Sequence, residues 1–482
     1  MSLEEWGEEF RRATISIADM DTTGSVSYET SAERLRSLVK TRLLLHTDIN
    51  TRPERFFLAH RLLAEHAHKL GPGFWIRFTV HYNLCVGTVC GLGNDKQVAD
   101  LADWQSDGSL GCFSLTEKFA GVNSGFIVNT TADWDAEAQE FVLHGEGEGA
   151  KKNWISQGLV AEKTVVVADL RMGGKSFGPH AFVMNLREGV GAASEVVPGV
   201  AHGDMGRKTV GNDLDNAWIG FDHLRLPKSA LLNRYATIDS DSNAYVQHVK
   251  GMPVFHMIGQ RLFTGRVAVA QGALTFTNSL FETTRVYTDN KSVFTPAGNA
   301  PLSSIPQLKH LYIEAADELG RIGAFVTHCE ELLTVHLKAG TLPELSLIEA
   351  IATAKVMAVD RCIYLSTALK NECGSYALMA NTGFEQMDFL LCCKFAEGDS
   401  RILMQKMARD RMKLFSKNER HSTEAPDPAW TGEEKACHAL QSALTMDAQE
   451  GVSPQDAWDN SYKLVYALAA ETMDRIMRDV GF

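Results

Sequence analysis

The sequence predicts an α+β protein in three successive parts: an N-terminal helical domain over residues 1–108, a central antiparallel β domain over 109–236, and a C-terminal helical bundle over 237–482. Three observations predict it. Apolar residues repeat at helical spacing before about residue 108, short β-rich runs punctuated by turn residues begin near Gly111, and helical spacing returns after Tyr235 in segments long enough to pack as a bundle.

In the first part, the stretch Pro53 to Leu70 (PERFFLAHRLLAEHAHKL) puts Phe56, Leu58, Leu62, Leu63 and His66 three and four residues apart, and Gly71, Pro72 and Gly73 then end it. His66 and His68 fall on different faces of that helix and make a poor metal pair. The β part reads as strands at Gly125–Thr131, Phe141–His144, Thr164–Ala168 and His180–Leu186, separated by loops rich in Gly, Asp and Asn. In the third part Arg261–Thr284, Ile305–Gly340 and Leu345–Glu372 are long helices, the last opening with Ser346 and Glu349 at capping-box spacing. The charged stretch from Lys417 to Glu434 reads as an exposed loop before a final helical pair.

Composition excludes several classes. With 482 residues, 45% of them apolar, the chain buries its own core without disulfide or metal support. A formal charge of -13 argues against a nucleic-acid partner, which needs a broad basic face. The nine cysteines are odd in number and never spaced as paired CxxC knuckles, so they read as reduced, small apolar residues with no metal site among them. No run of 18 apolar residues suggests a membrane span, the acidic start MSLEEWGEEFRRA is not a signal peptide, and the last residues, MRDVGF, are not an SKL-type peroxisomal address. The expected compartment is the cytoplasm.

Three segments carry the chemistry. In LGCFSLTEKFAGVNSGF (110–126) a strand of small and hydroxylated residues runs into a loop with Gly121 and Asn123, where a backbone can approach a flat ligand. In AKKNWISQGLVAEKTVVVADL (150–170) Trp154 is followed two residues later by Ser156, a stacking ring and a hydroxyl, although a core tryptophan would look the same. In CCKFAEGDSRILMQKMARD (392–410) Glu397 precedes Gly398 and a helix presenting Ile402, Leu403 and Met407, which places the carboxylate at the rim of an apolar region, although a solvated glutamate near a helix start would look the same. A carboxylate held there has a raised pKa, which suits a base for a weakly acidic carbon acid.

These segments, in this order and with the α, β, α arrangement, resemble the acyl-CoA oxidase and acyl-CoA dehydrogenase superfamily, most closely the oxidases. The resemblance covers roughly residues 52 to 415, including RPERFFLAHRLL, GPGFWIRFTVHYNLCVGTV and GNDLDNAWIGFDHLRLPKSALLNRY. The oxidase TE pair looks like Thr116 and Glu117, and the segment carrying the family's catalytic Glu looks like Glu397, Gly398 and Asp399 with Leu403 to Gln405. The resemblance implies an acyl-CoA dehydrogenase-like fold holding FAD between β domain and bundle. It also implies flavin contacts from Thr116, Trp154 and Ser156, a pyrophosphate contact from Arg285, and further cofactor contacts from Gly374 and Asp399. Two segments depart from the pattern: Val286, Tyr287 and Thr288 replace the cluster that usually follows the arginine, and CGSYAL keeps Gly374 but has Ser375 and Ala377 where glycines are usual. Some dehydrogenases place the base on an earlier helix, at a position similar to Gly265, which has no side chain to act.

The implied reaction is oxidation of an acyl-CoA to a trans-2-enoyl-CoA with Glu397 taking the α proton. Dioxygen would reoxidise the flavin in an oxidase and an electron-transfer flavoprotein in a dehydrogenase. The altered segments leave open a divergent member that uses the base for elimination on a small thioester, or a noncatalytic subunit. Sharing of FAD between subunits implies a homodimer or a dimer of dimers.

Overall fold

A computed structural model of the chain describes residues 1–19, 26–122, 124, 127–239, 241–249, 259, 261–417 and 429–482. Its first part is built of helices Leu3–Ala18, Tyr28–Lys40, Pro53–Glu65 and Phe74–Thr79, with several shorter ones. Leu3–Ala18 opens on a capping box in which Ser2 and Glu5 satisfy each other's backbone N–H, and Pro53 occupies the first turn of its helix, where no N–H is needed. The helix expected over Pro53–Leu70 breaks at His66, whose backbone leaves the helical region; a short turn Ala67–Leu70 then ends on Gly71 at φ 103°. Phe74–Thr79 continues into a seven-residue π-helix, Val80–Val86, before Gly87–Leu92. Phe10, Phe56, Phe57, Phe74, Trp75 and Phe78 bury the inner faces of these helices.

The central part holds two main sheets, and not every pairing in them is antiparallel. Strand Lys163–Met172 pairs antiparallel with Lys175–Asn185, but Gly111–Ser114 and Thr131–Asp135 both run parallel to it. Long connections separate these two strands from Lys163–Met172, which is what a parallel pairing requires. Thr131–Asp135 leads on to Glu140–His144 and then Leu224–Pro227, and the second sheet joins Lys152–Ser156, Asn216–Phe221 and Val200–Asp204.

The run Gly125–Thr131 contributes only Thr131 to a strand; residues 125 and 126 lie outside the described residues, as does Asn123. The cause is Glu117. Its buried carboxylate accepts the N–H groups of Asn129 (2.6 Å) and Thr130 (2.9 Å), which are thereby withdrawn from any ladder. Lys152 neutralises that carboxylate at 2.9 Å, so the second residue of the TE pair ties three segments of the β part together.

The helical and β parts are joined by buried polar groups. The Arg77 guanidinium pairs with Asp215 at 2.9 Å and donates to Gln157, Arg36 pairs with Glu162 at 2.9 Å, and the Gly111 N–H donates to His81 Nδ1 at 3.0 Å. Breaking a buried pair of this kind typically costs about 3–5 kcal/mol, because the remaining charge is left without compensation.

In the third part the long helices Arg261–Asn290, Pro306–Ala339 and Leu345–Cys373 pack against one another, with a hairpin, Ser292–Thr295 and Gly298–Pro301, after the first. Glu344 is the N-cap of Leu345–Cys373 and Ser346 lies already inside the helix, so the capping box expected at Ser346 and Glu349 does not form. Helices Asp388–Phe395 and Ser400–Phe415 follow. Of the stretch expected as a loop from Lys417 to Glu434, residues 418–428 lie outside the described residues, while Gly432 already opens a helix capped by Thr431 and Glu434. Three helices, not a pair, close the chain: Gly432–Gln449, Pro454–Asn460 and Tyr462–Asp479. No helix among the described residues is long and apolar enough to cross a membrane.

Candidate active site

Glu397 stands in the tight turn between helices Asp388–Phe395 and Ser400–Phe415. Its φ is 57° and that of Gly398 is 101°, so a non-glycine residue is held in the left-handed region. Such a conformation persists only where its surroundings impose it. Here two cations from two bundle helices do so. Arg266 Nε donates to the Glu397 carbonyl at 3.2 Å, and the buried Lys355 Nζ donates to the carbonyls of Lys394 (2.7 Å) and Gly398 (2.9 Å) and to Ser400 Oγ (3.1 Å). Burial pulls the Lys355 amine down to about 8.

Lys355→Met is expected to free this turn, lowering thermal stability by the loss of buried charge-assisted bonds worth about 1.5–3 kcal/mol each. Lys355→Arg should recover part of the loss. Thermal melts of the two variants check this; equal melting of wild type and Lys355→Met would contradict it.

Glu397 is 6% exposed, and its Oε2 is fully buried. Oε1 accepts from Asn83 Nδ2 at 3.2 Å and lies 3.5 Å from the Thr79 hydroxyl, whereas Oε2 has no hydrogen-bond partner among the described residues. Burial lifts the group from 4.5 to about 7, against smaller lowering contributions from Asn83, Arg266, Thr79 and Lys355. Asn83 belongs to the π-helix Val80–Val86, a distortion frequent at functional sites; the same segment touches the β part through His81, and the helix Phe74–Thr79 that runs into it does so through Arg77. One rigid element therefore sets the carboxylate relative to the sheet.

Gly265 forms the wall beside the carboxylate. A Cβ at this position would stand 2.1 Å from Glu397 Cδ and 2.3 Å from Oε2. The position read from sequence as the rival site of a base thus shares one space with Glu397, and only a residue without a side chain leaves that space to it.

Thr116, Trp154 and Ser156 come together on the β part. The Thr116 carbonyl accepts from the Asn153 N–H at 2.8 Å, which sets the exposed Thr116 beside strand Lys152–Ser156. Trp154 has φ 56°, and the residue is 56% exposed, with its N–H on Met205 Sδ at 3.1 Å. Ser156 Oγ accepts from Asn216 Nδ2 at 3.1 Å. A strained backbone and an exposed indole are not what a core tryptophan would show.

The remaining residues predicted from sequence stand elsewhere. Asp399 caps helix Ser400–Phe415, its carboxylate accepting the Arg401 N–H at 2.6 Å. Arg285 is exposed, paired with Asp289 at 2.8 Å and stacked 4.6 Å over Tyr312; it lies twenty residues beyond Gly265 on one helix, roughly 30 Å away. Gly374, at φ 64°, ends helix Leu345–Cys373. The two segments that depart from the family pattern meet here, Tyr287 stacking on Tyr376 with ring centres 3.5 Å apart and planes 5° apart. Asn83, Thr79, Arg266 and Lys355 were not picked out by sequence reading; Asn83 lies within the quoted GPGFWIRFTVHYNLCVGTV, but apolar periodicity gives no sign of a π-helix.

Comparison with known proteins supplies the family. Acyl-coenzyme A oxidase 2 of Yarrowia lipolytica is 30% identical over 365 residues, which are 70% of this chain and 50% of the relative. The chain belongs to the acyl-CoA oxidase and acyl-CoA dehydrogenase superfamily. Peroxisomal acyl-coenzyme A oxidase 3 of Arabidopsis thaliana is 32% identical over a shorter stretch, 40% of this chain and 28% of the relative. The chain spans about half the length of the first of these curated relatives. No family model matches it.

Solved structures share the superfamily fold. Acyl-CoA oxidase-2 of Caenorhabditis elegans, bound with FAD, ascaroside-CoA and ATP, aligns with a TM-score of 0.78 at 18% identity, over 98% of this chain and 75% of that one. Glutaryl-CoA dehydrogenase of Mycobacterium smegmatis, in complex with FADH2, aligns with a TM-score of 0.63 at 20% identity, over 84% and 94%.

Proposed function

We propose that the chain is an FAD-dependent enzyme that oxidises an acyl-CoA to its trans-2-enoyl-CoA, with Glu397 as the base. The observation that carries this reading is the Glu397 carboxylate itself: buried, lifted to about 7, and with Oε2 unpartnered. Removing a proton from carbon next to a thioester needs a base that water does not solvate and that is fixed in direction. Asn83 engages Oε1, the Arg266 and Lys355 contacts fix the turn, and Oε2 is left to take the α proton.

When bound, FAD accepts the two electrons that leave the β carbon. The residues present fit it: Trp154 offers an exposed aromatic face, Ser156 a hydroxyl on the same strand as Trp154, and Thr116 beside that strand a second hydroxyl with no hydrogen bond to the described residues. FAD and FADH2 accompany the aligned C. elegans oxidase and M. smegmatis dehydrogenase. Arg285 and Gly374 lie too far along the bundle to serve the same cofactor as Glu397. They would reach the FAD of a neighbouring subunit in a homodimer or dimer of dimers, with the Tyr287–Tyr376 stack beside that contact.

Dioxygen is proposed as the acceptor, giving one hydrogen peroxide per enoyl-CoA, because the curated relatives are named oxidases. A dehydrogenase would pass its electrons to an electron-transfer flavoprotein instead. The experiment is to add a panel of acyl-CoAs to the purified yellow protein without oxygen and then admit air. Bleaching followed by rapid recolouring with stoichiometric peroxide supports the oxidase; bleaching that dye but not air reverses supports the dehydrogenase. Product without bleaching means elimination, and neither product nor bleaching overturns the reading.

A further inference from the structure

We propose that His144, Asp222 and His223 form a site for one divalent transition-metal ion of the zinc class on the β part, independent of the acyl-CoA chemistry. The ladder between Glu140–His144 and Leu224–Pro227 sets Leu143 opposite Leu224, so continuing the register by one residue sets His144 opposite His223. Directly opposed residues of an antiparallel pair put their side chains on one face. The two imidazoles accordingly lie with ring centres 3.9 Å apart, tilted by 30°.

Asp222 completes the group. One carboxylate oxygen, Oδ1, lies 2.6 Å from His223 Nδ1 and 3.6 Å from His144 Nδ1, and one donor atom from each of the three residues falls within 4.8 Å of the others. The backbone beneath is fixed. Gly145 N–H donates to the Phe221 carbonyl at 3.0 Å and Asp222 N–H to that of Gly199 at 2.8 Å, and His223 is held at φ 48°.

Two imidazoles with one carboxylate suit zinc, cobalt or nickel, which take nitrogen and oxygen at about 2.0–2.2 Å, and suit magnesium poorly, since that ion prefers oxygen alone. A bound ion would displace the proton shared between His223 and Asp222. Because the cluster is exposed, water fills the remaining positions. His144 ends a strand of the larger sheet, and Asp222 and His223 form the link from strand Asn216–Phe221 of the second sheet into Leu224–Pro227 of the larger one, so the ion would fasten that link to the strand beside it.

The test is calorimetric titration of the full-length, chelator-treated protein with zinc chloride alone, beside thermal melts with and without zinc. Wild type should bind one zinc at this cluster and melt higher with zinc present. His144→Ala, His223→Ala and Asp222→Asn, at one half-buried and two exposed positions, should each weaken that binding by more than the roughly 10–100-fold that loss of a mere supporting group costs. They should also lose the zinc-dependent rise in melting temperature. Binding equally tight in wild type and all three variants, no binding at all, or magnesium binding as tightly as zinc would overturn the proposal. None of these readouts depends on flavin or acyl-CoA.

Discussion

Glu397→Gln is expected to keep its yellow flavin and to lose reduction by acyl-CoA by about two to four orders of magnitude, the range a positioned general base supplies. The amide fills the same space and can still face Asn83, so the loss reports the missing base. The substitution also has a signature in stability. Burial raises the folded-state value of Glu397 from 4.5 to about 7, so between those values the unfolded chain binds fewer protons than the folded one. Wild-type stability therefore falls as pH rises from 4.5 to about 7, and above that the cost of the buried charge is complete, up to about 3 kcal/mol. Glutamine carries no such cost. The variant should melt higher than wild type at mildly alkaline pH, and its advantage should shrink on acidification; paired melts across that range check the sign.

Gly265→Ala should do comparable damage by another route. Its methyl group would meet Glu397 Cδ at 2.1 Å and Asn83 Nδ2 at 2.5 Å, contacts that no real Cβ tolerates, so the carboxylate or the helix must move. A displacement of about 1 Å at a reacting group costs on the order of 10²-fold in rate, and overpacking costs about 1–3 kcal/mol. Gly323→Ala is the control. Gly323 sits inside helix Pro306–Ala339 with nothing within 4 Å of its added methyl, so the same change there should stabilise by about 0.5–1 kcal/mol and leave flavin reduction untouched. Equal rates in the two alanine variants would contradict the shared space of Gly265 and Glu397.

The order of helical, β and helical parts was legible because it rests on apolar periodicity over long windows, and the three long bundle helices fall within a few residues of where that period puts them, apart from the longer C-terminal end of Arg261–Asn290. Local features were less legible where side chains compete for backbone groups. Glu117 takes the N–H groups of Asn129 and Thr130, and Asp399 rather than a residue read as a cap takes the N–H of Arg401. The site divides in the same way. Glu397, Gly265, Thr116, Trp154 and Ser156 stand in segments that read as a pattern along the chain. Asn83, Arg266 and Lys355 act across 39 residues of sequence or more, through a π-helix and three carbonyl contacts that no linear spacing encodes. The meeting of Tyr287 with Tyr376 is of the same kind, since two departures read separately turn out to face each other.

The most direct measurement is the rate of flavin reduction by a saturating acyl-CoA, followed without oxygen from about pH 5 to about pH 9 in a single turnover. With Glu397 as the base, lifted to about 7, the rate should rise about tenfold per pH unit on the acid side and level off above neutrality. Glu397→Gln should be slow and lack that rise. A wild-type rate independent of pH through this range, or a Glu397→Gln variant that follows the wild-type curve, would contradict the assignment.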